Sequence, residues 1–456
     1  MKTLLKGGCV VSGRGAEQLD VLLEGEKIAA VGRDLAAGDA QTVDCSARLL
    51  FPGFIDAHTH FDLEVGGTIT ADDFASGSRA ALRGGTTTVV DFAAPDKGES
   101  LARGLARWRE KAEGNCACDY GFHMTIDDWS DSISREVGEM LDQGISTFKL
   151  YMTYPAMMLP EGDLFRALLR LKEAGGLAGV HCENSAVIDV LTAQAKAAGR
   201  LSPASHPRTR PAPLEAEAVG RLLRMAQVAD VPVIVVHLST AEALEEVRAA
   251  RRRGQTVYVE TCPHYLLLED SVYDHPDFLE AAKYVCAPPL RKRTDREALW
   301  AALAAGEIQT VATDHCSFTL AQKRAGRYDF TKIPGGLPGV EHRGALLYTY
   351  GVAAGRMTEA DLCRALCENP AKLYGCWPRK GVLAPGSDGD VVVYNPAGES
   401  VLTAAGQAQR TDYTPYEDFP LRGGVERVYL RGALAAEGGR VLETRGVFLP
   451  RGRCVL

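Results

Sequence analysis

The sequence predicts an α/β protein: a (β/α)8 barrel of the TIM type, joined to a small β-sandwich domain built from both chain ends. Three observations carry that expectation. Strand-like and helix-like segments alternate from about Leu49 to Gly375, the signature of a parallel α/β architecture. Eight strand-like segments can be counted there, which favours a closed barrel over an open doubly wound sheet. Short β-rich segments with turn chemistry stand at both ends of the chain.

In chain order, Leu4 to Val11, Asp20 to Leu23, the turn Glu24-Gly25-Glu26-Lys27 and Ile28 to Val31 read as hairpins, with apolar and β-branched residues around a Gly-containing turn. The pattern returns in Asp390 to Tyr394 and Val425 to Gly432. Residues 1–48 and 379–456 are therefore assigned to one β domain around a central unit of residues 49–378. Its strands are read as Leu49 to Ala57, Thr86 to Phe92, Ile145 to Tyr151, Leu177 to His181, Pro232 to His237, Thr256 to Glu260, Lys283 to Ala287 and Ile308 to Asp314. Gly162 to Gly175, Leu214 to Asp230 and Ala241 to Gly254 carry apolar residues at i, i+3 and i+4 and read as helices. No Gly-rich loop opens a helix after the first strand, so Gly84-Gly85-Thr86 is read as a tight turn rather than a phosphate cradle.

Composition narrows the function classes. With 456 residues, 46% hydrophobic and 24% charged, the chain can build a large core. A net charge of −8 argues against nucleic acid or an acidic membrane as partner. The basic run Arg251-Arg252-Arg253 ends a helical segment and reads as a solvated face that complements the helix dipole. No apolar run reaches the roughly 18 residues of a membrane span. The start Met1-Lys2-Thr3-Leu4-Leu5-Lys6 lacks a signal-peptide core, and twelve cysteines spread over so long a chain read as reduced thiols, so a cytoplasmic protein is expected.

The chemistry gathers at the strand ends. His58 and His60 leave the first strand two residues apart, on one face of an extended chain, where both can reach one metal ion. His181 and His237 end the fourth and fifth strands, Asp314 ends the eighth, and Lys149 sits in the third. In a barrel these ends share one mouth, where catalytic groups collect. Taken singly, each histidine reads as a satisfied polar residue and Asp314 as a helix cap. Their joint occurrence at successive strand ends points to a metal centre. His58, His60 and Asp314 suit one divalent ion, and His181 and His237 suit another. Lys149, between Phe148 and Leu150, must find a carboxylate or lose its charge.

The motifs Phe54-Ile55-Asp56-Ala57-His58-Thr59-His60-Phe61-Asp62, Phe148-Lys149-Leu150-Tyr151-Met152-Thr153-Tyr154, His181-Cys182-Glu183-Asn184, Glu260-Thr261-Cys262-Pro263-His264-Tyr265 and Thr313-Asp314-His315-Cys316 make the chain resemble the cyclic amidohydrolases, most closely the D-hydantoinase and dihydropyrimidinase branch. The resemblance covers nearly the whole chain. It implies two divalent ions, usually zinc, bridged by a carboxylated Lys149 (N6-carboxylysine). It also implies a bridging hydroxide that attacks the ring carbonyl, Tyr154 near that carbonyl, and Asp314 as proton carrier to the departing nitrogen. The substrate would be a small cyclic amide or ureide, the product an N-carbamoyl amino acid, and the assembly a homotetramer.

Ala287 and Gly335 stand where the branch typically has the serine and asparagine that frame the substrate's amide edge, largely through the main chain. Glu64 stands where relatives tend to carry proline or another uncharged residue, and is expected to face solvent. Phe61-Asp62 after His60 leave no arginine to pair with a substrate carboxylate, which weakens a dihydroorotase reading. An allantoinase or another cyclic ureide hydrolase stays as the alternative. Non-enzymatic assembly relatives have lost metal ligands, whereas all six stand in this chain.

Overall fold

The computed structural model describes residues 2–456. The chain enters through β1 (Lys2–Ser12), β2 (Gly15–Glu24), β3 (Lys27–Gly32), β4 (Gln41–Asp44) and β5 (Leu49–Pro52). After β6 (Phe54–Thr59) comes the hairpin of β7 (Glu64–Val65) and β8 (Thr68–Ile69). Then follow β9 (Thr86–Ala93), β10 (Asp119–Thr125), β11 (Thr147–Tyr151), β12 (Leu177–His181), β13 (Val233–Val235), β14 (Val257–Thr261) and β15 (Thr310–Val311). The chain returns to the first sheet with β16 (Val391–Val401), β17 (Pro420–Leu430), β18 (Ala433–Glu437) and β19 (Arg440–Val441).

β6 and β9 to β15 form a parallel eight-stranded sheet in sequence order. Its two edges meet where His60 N donates to His315 O at 2.8 Å and His315 N to His58 O at 3.3 Å. At the opposite end of the same seam Arg343, almost fully buried, donates to Ile55 O at 2.8 Å and Val311 O at 2.9 Å. The seam that closes the barrel therefore runs through the residues expected to bind metal.

The strand count is eight, as expected, but one member differs. Lys283 to Ala287 is a loop: Val285 O accepts from Gly336 N and from the Lys323 ammonium instead of a ladder neighbour. The missing strand is β10, whose Asp and Gly disfavour a strand by propensity. All seven of its residues are buried, and its polar groups find distant partners: Asp119 pairs with Lys380 at 2.6 Å, and His123 Nε2 meets Ala57 O at 2.9 Å. The expected strand Leu49 to Ala57 divides at Gly53. There a Cβ would lie 2.0 Å from Thr87 Oγ1, so only glycine allows the approach.

β5 belongs to the sheet of the chain ends, ordered β19-β18-β17-β16-β5-β1-β2-β3, with β4 also pairing β1. β1 changes partner along its length, Thr3–Lys6 lying against β4 and Cys9–Val10 against β5, with Gly7 at φ 70° between them. Leu5, Val21, Leu23, Leu50, Val391 and Val393 form its own apolar core. Helices lie at Glu161–Ala174, Ala212–Ala229 and Ala241–Arg252, within a few residues of the periodic segments. The basic run that ends the last of them is not a purely solvated face, because Arg251 donates to Val257 O and Glu307 O. Among the described residues no helix is long and apolar enough to cross a membrane.

Candidate metal centre and substrate pocket

The barrel mouth brings all six expected ligands together. His58 and His60 flank Thr59 at the end of β6, their ring centroids 5.2 Å apart. Asp314, just after β15, places Oδ1 3.2 Å from His58 Nε2 and 3.1 Å from His60 Nε2. His181 ends β12 and His237 follows β13, with ring centroids 4.6 Å apart. Lys149 projects from the middle of β11 with Nζ 3.5 Å from His237 Nε2, beside the rings of Phe92 and Tyr151.

The donor chemistry fits divalent cations. His58 Nε2 and His237 Nδ1 are buried and have no hydrogen-bond partner among the described residues, although the Asp314 oxygen is close to the first. Two acceptors held that near without a proton aligned between them share a target. Ligand atoms of His58, His237 and Asp314 lie within 4.8 Å of one another. Burial lowers the pKa of all three inner histidines, His58, His181 and His237, which keeps their lone pairs free for coordination. Burial also pushes the Lys149 amine down to about 8, and among the described residues no carboxylate lies within ion-pair distance of it. Burial therefore brings the neutral amine of Lys149 within easier reach than that of an ordinary lysine.

Four groups not expected from the sequence orient these ligands, two directly and two through them. Glu260 takes His58 Nδ1 at 2.6 Å and the Tyr374 hydroxyl at 3.0 Å, so the free nitrogen of His58 faces the centre. Glu183 meets His181 Nε2 at 2.8 Å and is itself gripped by Arg210 at 2.7 Å. Burial opposes its charge, but Arg210 and His181 hold it well below the usual carboxylate range. Glu260 ends an expected strand, so the reasoning that picked out the histidines also points to it; Glu183 had a signal only in its place two residues after His181. Tyr374 and Arg210 had none.

Beside the centre lies a cavity of roughly 370 Å3, lined among others by Tyr154, Arg210, Ala287, Lys332, Gly335 and Val65. That volume suits a small heterocycle with a substituent. Tyr154 stands at φ 66° with its ring centroid 5.1 Å from that of His181, and burial raises its hydroxyl pKa, so it remains a proton donor. Ala287 and Gly335 both reach the cavity wall. The β7–β8 hairpin overhangs it through Val65 and Gly66, while Glu64 is exposed.

Residues 49–434 match the Amidohydrolase family. The D-hydantoinase of Streptomyces coelicolor is 42% identical, over 99% of this chain and 98% of that protein. The D-hydantoinase of Geobacillus stearothermophilus is also 42% identical, over 95% of this chain and 92% of its own. The crystal structure of dihydropyrimidinase from Brevibacillus agri superposes with a TM-score of 0.98 at 41% identity, each chain fully covered. An L-hydantoinase (dihydropyrimidinase) from Arthrobacter aurescens gives 0.90 at 28%, covering 98% of this chain and 99% of that one.

Proposed function

The chain belongs to the amidohydrolase family, and from that premise we propose that it opens the cyclic amide bond of hydantoins or 5,6-dihydropyrimidines, giving N-carbamoyl amino acids, at a binuclear metal centre. The observation that carries the reading is the pair of buried, unpartnered imidazole nitrogens of His58 and His237. His58 Nε2 lies 3.2 Å from Asp314 Oδ1, and His237 turns its Nε2 to the Lys149 amine at 3.5 Å, beside a cavity of heterocycle size.

His58, His60 and Asp314 would hold one ion, His181 and His237 the other, with Lys149 between them as its carbamate; a neutral amine is the form that adds carbon dioxide. Two divalent ions, zinc in this reading, supply a water acidified to near neutral pH and a Lewis acid for the carbonyl. The residues do the rest. Glu260 and Glu183 fix which nitrogen each histidine presents. Tyr154 keeps its proton and donates it as a hydrogen bond to the carbonyl oxygen as charge develops there. Asp314 accepts the proton of the attacking water and returns it to the departing ring nitrogen. The main chain at Ala287 and Gly335 reads the amide edge. A homotetramer and a cytoplasmic location complete the proposal, and the twelve free thiols are in keeping with a reducing compartment.

The test combines metal analysis of the purified protein with turnover of hydantoin, both enantiomers of 5-substituted hydantoins, dihydrouracil, dihydrothymine, allantoin and dihydroorotate. Two equivalents of metal and turnover of hydantoins or dihydropyrimidines are expected, and Lys149→Ala should lose more than about a hundredfold in kcat/KM together with bound metal. Turnover of allantoin alone replaces this reading with an allantoinase. A metal-free active protein, or a fully active Lys149→Ala, removes the mechanism.

A further inference from the structure

Lys323 ends the short helix Leu320–Lys323 and has no exposed surface. Its ammonium donates three hydrogen bonds: to Val285 O at 2.9 Å, Pro334 O at 2.8 Å and Gly336 O at 2.8 Å. Three protons meet three carbonyls, which satisfies the group completely. Among the described residues no carboxylate lies within ion-pair distance of Lys323; the three carbonyls, with the Phe318 ring 5.8 Å away, hold the amine against the burial that pushes its pKa down to about 7. Such an arrangement fixes backbone rather than neutralising charge.

The carbonyls belong to two segments distant in sequence, and both line the cavity. Val285 and Ala287 form one wall; Pro334 and Gly335 form the other. Gly336 N donates to Val285 O at 2.9 Å, so Lys323 and this one main-chain bond together clamp the two segments. His206 Nε2 holds the first segment again at Cys286 O, 2.7 Å away. Because Ala287 and Gly335 have no polar side chains, any reading of the substrate here falls to main-chain groups, whose placement must come from elsewhere.

We infer that Lys323 is a positioning residue for substrate recognition: its three-carbonyl clamp sets the spacing between the backbone at Ala287 and at Gly335 that receives the amide edge of the ring. The inference rests on the reading of those two residues as substrate contacts given above.

The experiment compares wild type, Lys323→Met, which keeps length but no donor, and Lys323→Gln, which keeps two N–H donors. Each is examined as the metal-loaded full-length protein for kcat, KM, metal content and amide hydrogen exchange of segments 285–287 and 333–337. Lys323→Met is expected to raise KM at least tenfold, with kcat within about threefold and metal content unchanged, and to speed exchange at Gly336 at least tenfold. Lys323→Gln should fall between the two, and it decides the matter in the same way if Lys323→Met does not fold. An unchanged KM with unchanged exchange overturns the inference, as does a fall in kcat that follows loss of metal. If wild type turns over none of the substrates, the functional reading has failed, and exchange alone decides the clamp: unchanged protection overturns it.

Discussion

Tyr154, His237 and Asp314 share a backbone feature, φ values of 66°, 38° and 49°, in the left-handed region that non-glycine residues seldom enter. Each such residue costs about 1–3 kcal/mol unless its surroundings over-determine it. Those surroundings are present: Leu238 N donates to Glu260 O and Ser239 N to Glu215 just after His237, while Met157 N and Met158 N both donate to Tyr154 O. Of the nine described non-glycine residues at positive φ, these three are the ones assigned to coordination, proton transfer and carbonyl polarisation. Tyr154→Phe should lower kcat by about 100- to 1,000-fold while leaving the thermal midpoint in place, since only the hydroxyl is lost. Glu260→Gln removes the charge that orients His58 and should weaken metal retention by about 10- to 100-fold, read by competition with a chelator. At this scale the ligands themselves are legible in the sequence because side-chain type and strand-end position both report on them. Tyr374 is not, because its hydroxyl reaches Glu260 from a remote helix end that no local pattern marks.

At the scale of elements, legibility follows how local the stabilising contacts are. The helix Glu161–Ala174 is readable because its buried Leu164, Ala167, Leu168 and Leu171 recur at helical spacing. β10 is not, because what makes Asp119 tolerable in a buried strand lies far along the chain. Lys380 reaches Asp119 at 2.6 Å, Asp390 at 2.7 Å and Asp388 at 2.9 Å, and Arg431 pairs with Asp119 as well. The loop Lys283 to Ala287 is misread for the converse reason: its Tyr284, Val285 and Cys286 are apolar in a strand-like run, yet its carbonyls are committed to Lys323 and His206. The network around Lys380 joins β10 to the sheet of the chain ends. Removing its central cation leaves three buried carboxylates close together. Lys380→Met is therefore expected to cost about 3–5 kcal/mol in urea unfolding. Activity of the protein that remains folded should be unchanged, because the network lies away from the metal centre.

Taken whole, the molecule is a barrel whose two ends are secured differently. The mouth end of the seam is held by His58, His60 and His315 and its opposite end by Arg343, while the C-terminal tail secures the start of β11, where Arg451 reaches Thr147 Oγ1 at 2.9 Å and Tyr374 O at 3.2 Å. The sheet of the chain ends is tied on through Asp388, which meets Lys27 at 2.7 Å, Arg379 at 2.9 Å and Lys380 at 2.9 Å. Burial opposes the charge on Asp388, but Lys380, Lys27 and Arg379 outweigh it and hold its pKa at about 2. An unfolded aspartate titrates near 3.9. Between those values the unfolded chain binds more protons than the native one, so stability rises with pH through this window. The contribution of Asp388, about 2 kcal/mol, is present in full above roughly pH 4 and is lost as pH falls through about 2. Asp388→Asn should lower the urea midpoint at neutral pH and flatten its dependence on pH between about 4 and 2. A variant that kept the wild-type slope across that interval would show that Asp388 does not carry the acid sensitivity of the joint.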